Sequence, residues 1–257
     1  MKRHVTLYSL VAMLVLLVAI SGCDKETDQS TFETPDQYIP LQVGKYIRYQ
    51  VDSLIWLNVG DNYAIRSYQA KDVVEGTGTD LLGRPSWRVQ RYMRSLKSTN
   101  EAEWAPAFNY EVVRAGNNIE LVENNLRFVK MQTPLVEGRG FMGNGYLPSS
   151  LYYDQFKLTI TGNIGKWEST YEEFGAAEIN GKNYDSTITV TMVNDSIEVP
   201  IIDRSRSASK TVWVEKYAKG IGLIYRDVAL WEYNPPSLGN AASYAGFGIR
   251  LTILDHN

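Results

Sequence analysis

Cysteine and histidine are nearly missing from this chain. Its 257 residues hold one Cys, Cys23, and two His, His4 and His256. A single Cys permits no internal disulfide, so stability has to come from a packed core. His256 is one residue from the C-terminus and His4 is in an N-terminal leader, so neither suits a rigid site. A Ser-His-Asp triad, a Cys-His pair and a His- or Cys-rich zinc site are thereby excluded. No metal or other cofactor is expected. Catalysis, if any, would rest on carboxylates, Tyr, Lys or Arg, and the expected role is not enzymatic. A basic surplus is also missing. The chain carries 26 Lys and Arg against 29 Asp and Glu, net −3. Removing residues 1–22, which hold Lys2, Arg3 and no acid, deepens the deficit, and that argues against a nucleic-acid partner. Long apolar runs are absent too. The longest, Leu10 to Ile20, falls short of the about 20 residues a membrane span needs.

That short run has its own meaning. Met1-Lys2-Arg3 is a charged start, the apolar run follows, and Ile20-Ser21-Gly22-Cys23 ends it. The ending resembles a bacterial lipobox, in which the Cys is acylated, with palmitate among the expected chains, and becomes the new N-terminus. Residues 1–22 are expected to be a lipoprotein signal peptide. Residues 23–37 are expected to be a flexible tether, charged at Asp24-Lys25-Glu26. This Lys-plus-acid pattern resembles tethers that send some Gram-negative lipoproteins to the cell surface. The expected location is the outer membrane, lipid-anchored, with the cell surface favoured over the periplasmic face.

From Tyr38 the pattern is strands and turns. Ile47, Tyr49, Val51, Ser53 and Ile55 alternate with Arg48, Gln50, Asp52 and Leu54, as on a half-buried strand. Gly76-Thr77-Gly78, Leu82-Gly83-Arg84-Pro85, Asn117-Asn118 and Asn124-Asn125 read as turns. Residues 86–96 fit a strand or a helix, and the strand is favoured. Residues 152–161, 167–179 and 182–193 read as strands, with Asn180-Gly181 a hairpin turn. Pro200 makes 197–202 an edge strand at best. A hairpin around Ala218-Lys219-Gly220 and a last strand holding Ile249, Leu251 and Ile253 complete the chain. The fold class is all-β, antiparallel, a sandwich or open half-barrel. The expected layout is a β lobe over 38–132, a Gly/Pro-rich connection over 133–150, and a second β lobe over 151–257. A duplication relating the lobes is one reading, because Val43-Gly44-Lys45-Tyr46 resembles Ile164-Gly165-Lys166-Trp167.

Pro40-Leu41-Gln42-Val43-Gly44-Lys45-Tyr46 and Tyr217-Ala218-Lys219-Gly220-Ile221-Gly222-Leu223-Ile224 resemble segments of secreted Gram-negative lipoproteins of uncharacterised function. Those proteins share a Pro-Leu-x-Val-Gly start and a Tyr-Ala-x-Gly-Val-Gly-Leu-Val hairpin. The resemblance implies a β-rich extracytoplasmic fold and no particular activity.

Five groups are candidate sites. Cys23 is the lipidation site. Tyr152, Tyr153, Trp231, Tyr233 and Tyr244 could grip a glycan or protein partner if exposed. Arg84, Arg88, Arg91, Arg94 and Lys97 form a basic run, of which Arg88 and Arg94 share a strand face and could bind an oxyanion. Ser53, Ser186 and Ser196 follow Asp and precede an apolar residue or Thr, as in a bacterial O-glycosylation acceptor. Ser53 and Ser186 are expected to face inward, leaving Ser196. Among acids, Glu101 and Glu103 could share a face, whereas Glu172 and Glu173 should point apart. Gly138-Arg139-Gly140-Phe141-Met142-Gly143 spells G-x-G-x-x-G without the strand and helix a dinucleotide site requires. The expected function is binding or structural, with the membrane reached through the anchor. Two alternatives remain: a half-barrel carrier of lipid or lipoprotein, and a carboxylate glycosidase. A large apolar cavity would mark the first, and two acids in one cleft the second.

Overall fold

The computed structural model describes residues 33–57 and 62–257. The expected signal peptide, Cys23 and most of the expected tether lie outside the described residues. Residues 33–257 form one compact unit. Twelve strands are described: β1 Tyr46–Leu57, β2 Asn62–Thr79, β3 Pro85–Ser95, β4 Ala105–Ala115, β5 Asn118–Glu123, β6 Leu126–Gln132, β7 Gly140–Phe141, β8 Ser169–Ile179, β9 Lys182–Ile197, β10 Ala208–Ala218, β11 Gly222–Asn234 and β12 Ser243–His256. Two short helices, α1 Pro35–Tyr38 and α2 Leu151–Phe156, accompany them.

All twelve strands join one antiparallel sheet, in the order β6-β5-β4-β3-β2-β1-β12-β11-β10-β9-β8-β7. Every consecutive pair is hydrogen-bonded except β6 and β7, and the ring is completed by β1 against β12. The sheet therefore curls into a nearly closed half-barrel with one seam. The seam lies where the Gly/Pro-rich segment interrupts the ladder. There Val129 N–H donates to Gly143 O at 2.8 Å, and the Tyr171 hydroxyl both donates to Gln132 O and accepts from its N–H. Val129, Met131, Phe141, Tyr171, Ile188, Val190 and Tyr217 pack across it. The stretches 38–132 and 151–257 are thus two arms of one sheet around one lumen. What joins them is the β1–β12 ladder, which pairs residues about 200 apart in the chain.

Local chemistry explains most elements. Tyr49 and Val51 face the lumen with Ala70, Ile224, Leu251 and Ile253, as the alternation predicts. Asn124-Asn125 and Asn180-Gly181 both have positive φ at both central residues, the geometry that matches strand twist. The 86–96 stretch is a strand.

Elsewhere the structure corrects the sequence reading. Gly76-Thr77-Gly78 is not a turn but the end of β2, after a bulge between Val74 and Gly76. The turn comes later, where Gly83 N–H donates to Asp80 O. The Asn117-Asn118 turn is Gly116-Asn117 instead, with Asn118 already in β5. Residues 152–161 hold α2 and no strand. Tyr152 and Phe156, four apart, both lay their rings on Phe247 of β12, which rewards a helical turn. The tether ends early: Pro35–Tyr38 is helical, and Tyr38 is buried among core residues. Two glycines of the G-x-G-x-x-G stretch serve packing, and the third, Gly138, lies in the open with a positive φ. A Cβ on Gly140 would strike Glu168, and one on Gly143 would strike Ser169 and Met192.

Candidate functional site

The lumen holds a cavity of about 110 Å³. Its walls are apolar and come from three places. One arm supplies Val74, Val89, Val112, Ile119 and Leu121; the other supplies Ile221 and Leu223; the strap after α1 supplies Ile39, Pro40 and Leu41. The strap is held from both sides. Asp36 pairs with Arg114 of β4, Glu33 pairs with Lys219, and Gly220 N–H donates to Gln37 O at 2.6 Å.

Charged side chains sit among these apolar walls. Strand alternation puts them there, because each replaces one inward position in a row of apolar ones. Asp72 lies between Ala70 and Val74, and directly opposite it on β3 is Arg91. Arg91 Nε and Nη2 donate to the two Asp72 oxygens at 2.6 Å each, and the Tyr110 hydroxyl donates to Asp72 at 2.9 Å. In the other arm Glu215 and Arg226 are direct cross-strand partners. Glu215 accepts from Lys130 Nζ at 2.7 Å, Arg226 Nε at 2.8 Å, the Tyr217 hydroxyl at 2.5 Å and Trp213 Nε1 at 3.4 Å.

Burial works to raise the Glu215 pKa, but Arg226, Lys130 and the hydrogen bonds outweigh it and hold the carboxyl well below the usual range. Burial pulls the Lys130 pKa down, with Glu215 pulling back. Burial raises the phenols of Tyr49, Tyr110 and Tyr217 far up, and the nearby carboxylates add to it. These phenols therefore stay protonated as donors. A glycosidase acid needs a raised carboxyl pKa, and Glu215 has the opposite. Among the described residues no group of His, Cys, Asp and Glu could hold a metal ion.

The sequence-predicted residues fall into separate places. Trp231, Tyr233 and Tyr244 do converge, on the outer face. Tyr244 stacks on Trp56 at 4.7 Å between ring centres, and Trp231 meets both edge-on. Tyr233, however, is buried, with its hydroxyl on Arg204 O. Tyr63 extends the cluster beside Trp56. Tyr152 and Tyr153 part company, the first buried in the core and the second exposed. Arg88 is exposed beside Glu75. Arg94 is buried and fully committed: it donates to Gln69, Asn100 O and Glu101 and lies over the Trp104 ring at 4.3 Å. It is a structural residue, and the Arg88–Arg94 oxyanion site does not exist. Glu101 and Glu103 sit in a 3-10 turn rather than a strand. Glu172 and Glu173, expected to diverge, share a face. A bulge in β8 inserts one residue, so Glu172 accepts from Thr191 and Glu173 from Thr189. Ser196 is exposed, and so is Ser186, against expectation.

The lumenal residues Asp72, Lys130, Glu215 and Arg226 were missed. A signal existed for them: each is a charge inside an apolar alternation. Arg91 had one too, since on the strand it faces away from Arg88 and Arg94.

No protein-family model matches the chain, and no curated protein matches it. Among solved structures, LprF from Mycobacterium bovis is similar at 9% identity, over 86% of this chain and 89% of that one, with a TM-score of 0.26. A DUF1329 family protein from Desulfovibrio piger is similar at 9% identity, over 86% and 88%, with a TM-score of 0.18.

Proposed function

We propose that the chain is a lipid-anchored outer-membrane binding protein that receives the apolar part of an amphiphilic ligand inside its half-barrel. One observation carries this reading: an apolar cavity walled jointly by both arms and the N-terminal strap. A ligand chain entering it leaves water, which favours binding by about 25 cal/mol per Å² of apolar surface. The size sets a limit. An engineered apolar cavity of about 150 Å³ holds benzene, so about 110 Å³ takes a few carbons. A longer chain has to displace Ile39 and Leu41. Cys23 carries the anchor on this reading, and nine residues lie between it and Glu33, a reach of at most about 35 Å of extended chain.

Calorimetric titration of the purified protein with decan-1-ol tests the reading. Saturable 1:1 binding is expected, weakened about tenfold or more by Leu121→Trp, which fills the cavity while the melting curve reports whether the fold persists. A wild-type protein that binds no decan-1-ol and no charged analogue of it sinks the proposal.

A further inference from the structure

We infer that the lumenal site reads an anionic head group: its ligand is an aliphatic chain ending in a carboxylate or phosphate, received by Arg226. This rests on the cavity reading above. The first ground is charge. Lys130 and Arg226 both spend their contacts on one carboxylate, Glu215. Asp72 is taken up by Arg91 through two hydrogen bonds. Glu123 also lines the cavity and attracts both cations through space, though it makes no hydrogen bond or ion pair with either among the described residues. Around the cavity Lys45, Arg91, Lys130 and Arg226 still outnumber the carboxylates Asp72, Glu123 and Glu215 by one.

The second ground is geometry. Arg226 donates through Nε to Glu215, and its two Nη groups reach no acceptor among the described residues. Its side chain keeps 17% of its surface accessible while lining the lumen. The free edge of the guanidinium is thus open to the cavity. The neutral donors nearby are already used. The hydroxyls of Tyr49, Tyr110 and Tyr217 donate to Leu223 O, Asp72 and Glu215. What remains to greet a ligand's polar end is a cationic fork, the donor geometry that suits carboxylate and phosphate. The apolar walls then receive the chain attached to it.

The test is a matched series in which only the head changes: decanoate, decyl phosphate, decan-1-ol and decylamine, titrated calorimetrically into the purified protein at one salt concentration. Decanoate or decyl phosphate is expected to bind about tenfold or more tighter than decan-1-ol, the gain of a charge-assisted hydrogen bond. The preferred anion of the two names the head group. Arg226→Gln is expected to bring the anion-to-alcohol ratio near one, and Arg226→Lys to restore part of it. Equal binding of anion and alcohol by the wild type overturns the inference while leaving the cavity reading intact. Tightest binding of decylamine overturns it as well, and points to Glu123. If nothing in the series binds, the cavity reading fails first. Should Arg226→Gln not fold, the wild-type series alone decides.

Discussion

Glu215→Gln is the most informative single change for stability. The residue is 3% exposed and its carboxylate accepts from four donors, two of them cationic. The amide keeps the shape and removes the charge. Lys130 and Arg226 are then buried with no carboxylate in contact. Removing one partner of a buried ion pair costs about 3 to 5 kcal/mol. In a fold of this size each kcal/mol moves the melting temperature by about 2 to 4 °C. The expected loss is therefore about 6 to 20 °C, read by circular dichroism at neutral pH. The same logic sets a pH dependence. Folded Glu215 titrates below its ordinary value of 4.5, so its contribution is complete above that pH and fades as pH falls toward the folded value. Glu215→Gln should lack this part of the acid sensitivity. The triple variant Glu215→Leu, Lys130→Met, Arg226→Met removes all three charges and should recover most of the loss, since apolar replacements of buried ion pairs are often neutral. A Glu215→Gln protein melting within 2 °C of wild type would refute the argument, as would a triple variant no better than the single one.

Gly222→Val should destabilise by about 2 to 4 kcal/mol, combining overpacking with a positive φ. At φ +119 a Cβ there meets Ile47 Cδ1 at 2.8 Å, so the crowding neighbour is this aliphatic side chain. Lys219→Ala in the adjoining turn loses one half-exposed ion pair with Glu33 and should cost less than about 1 kcal/mol, and equal melting of the two variants would disprove the contrast. Arg94→Ala strands the Gln69 carbonyl and should cost about 2 to 3 kcal/mol, against about 0.5 or less for exposed Arg88→Ala; urea midpoints in the reverse order would contradict the structural role. Cys23→Ala should abolish incorporation of a fatty-acid probe and release the protein from membranes, and undiminished labelling would end the lipobox reading.

Much of this molecule is written locally. The Asn124-Asn125 and Asn180-Gly181 turns are legible because positive φ is a property of single residues. The lumenal face of β1 is legible because pleating sends alternate residues to opposite sides. The scarcity of Cys and His excludes whole classes of chemistry without any structure. What the sequence could not determine is non-local. Nothing in residues 46–57 says that they pair with residues 243–256, because that ladder depends on the curl of all the strands between. The same curl turns a presumed boundary between lobes into the seam of one half-barrel. Bulges decide the rest. One extra residue in β8 reverses the alternation up to the next register shift at Gly175–Ala177, which is why Glu172 and Glu173 end side by side. Whether a charge within an apolar alternation is buried or solvated also waits on its partner. Glu215 and Arg226 are tolerable inside the lumen because register sets them opposite each other, and register belongs to the sheet.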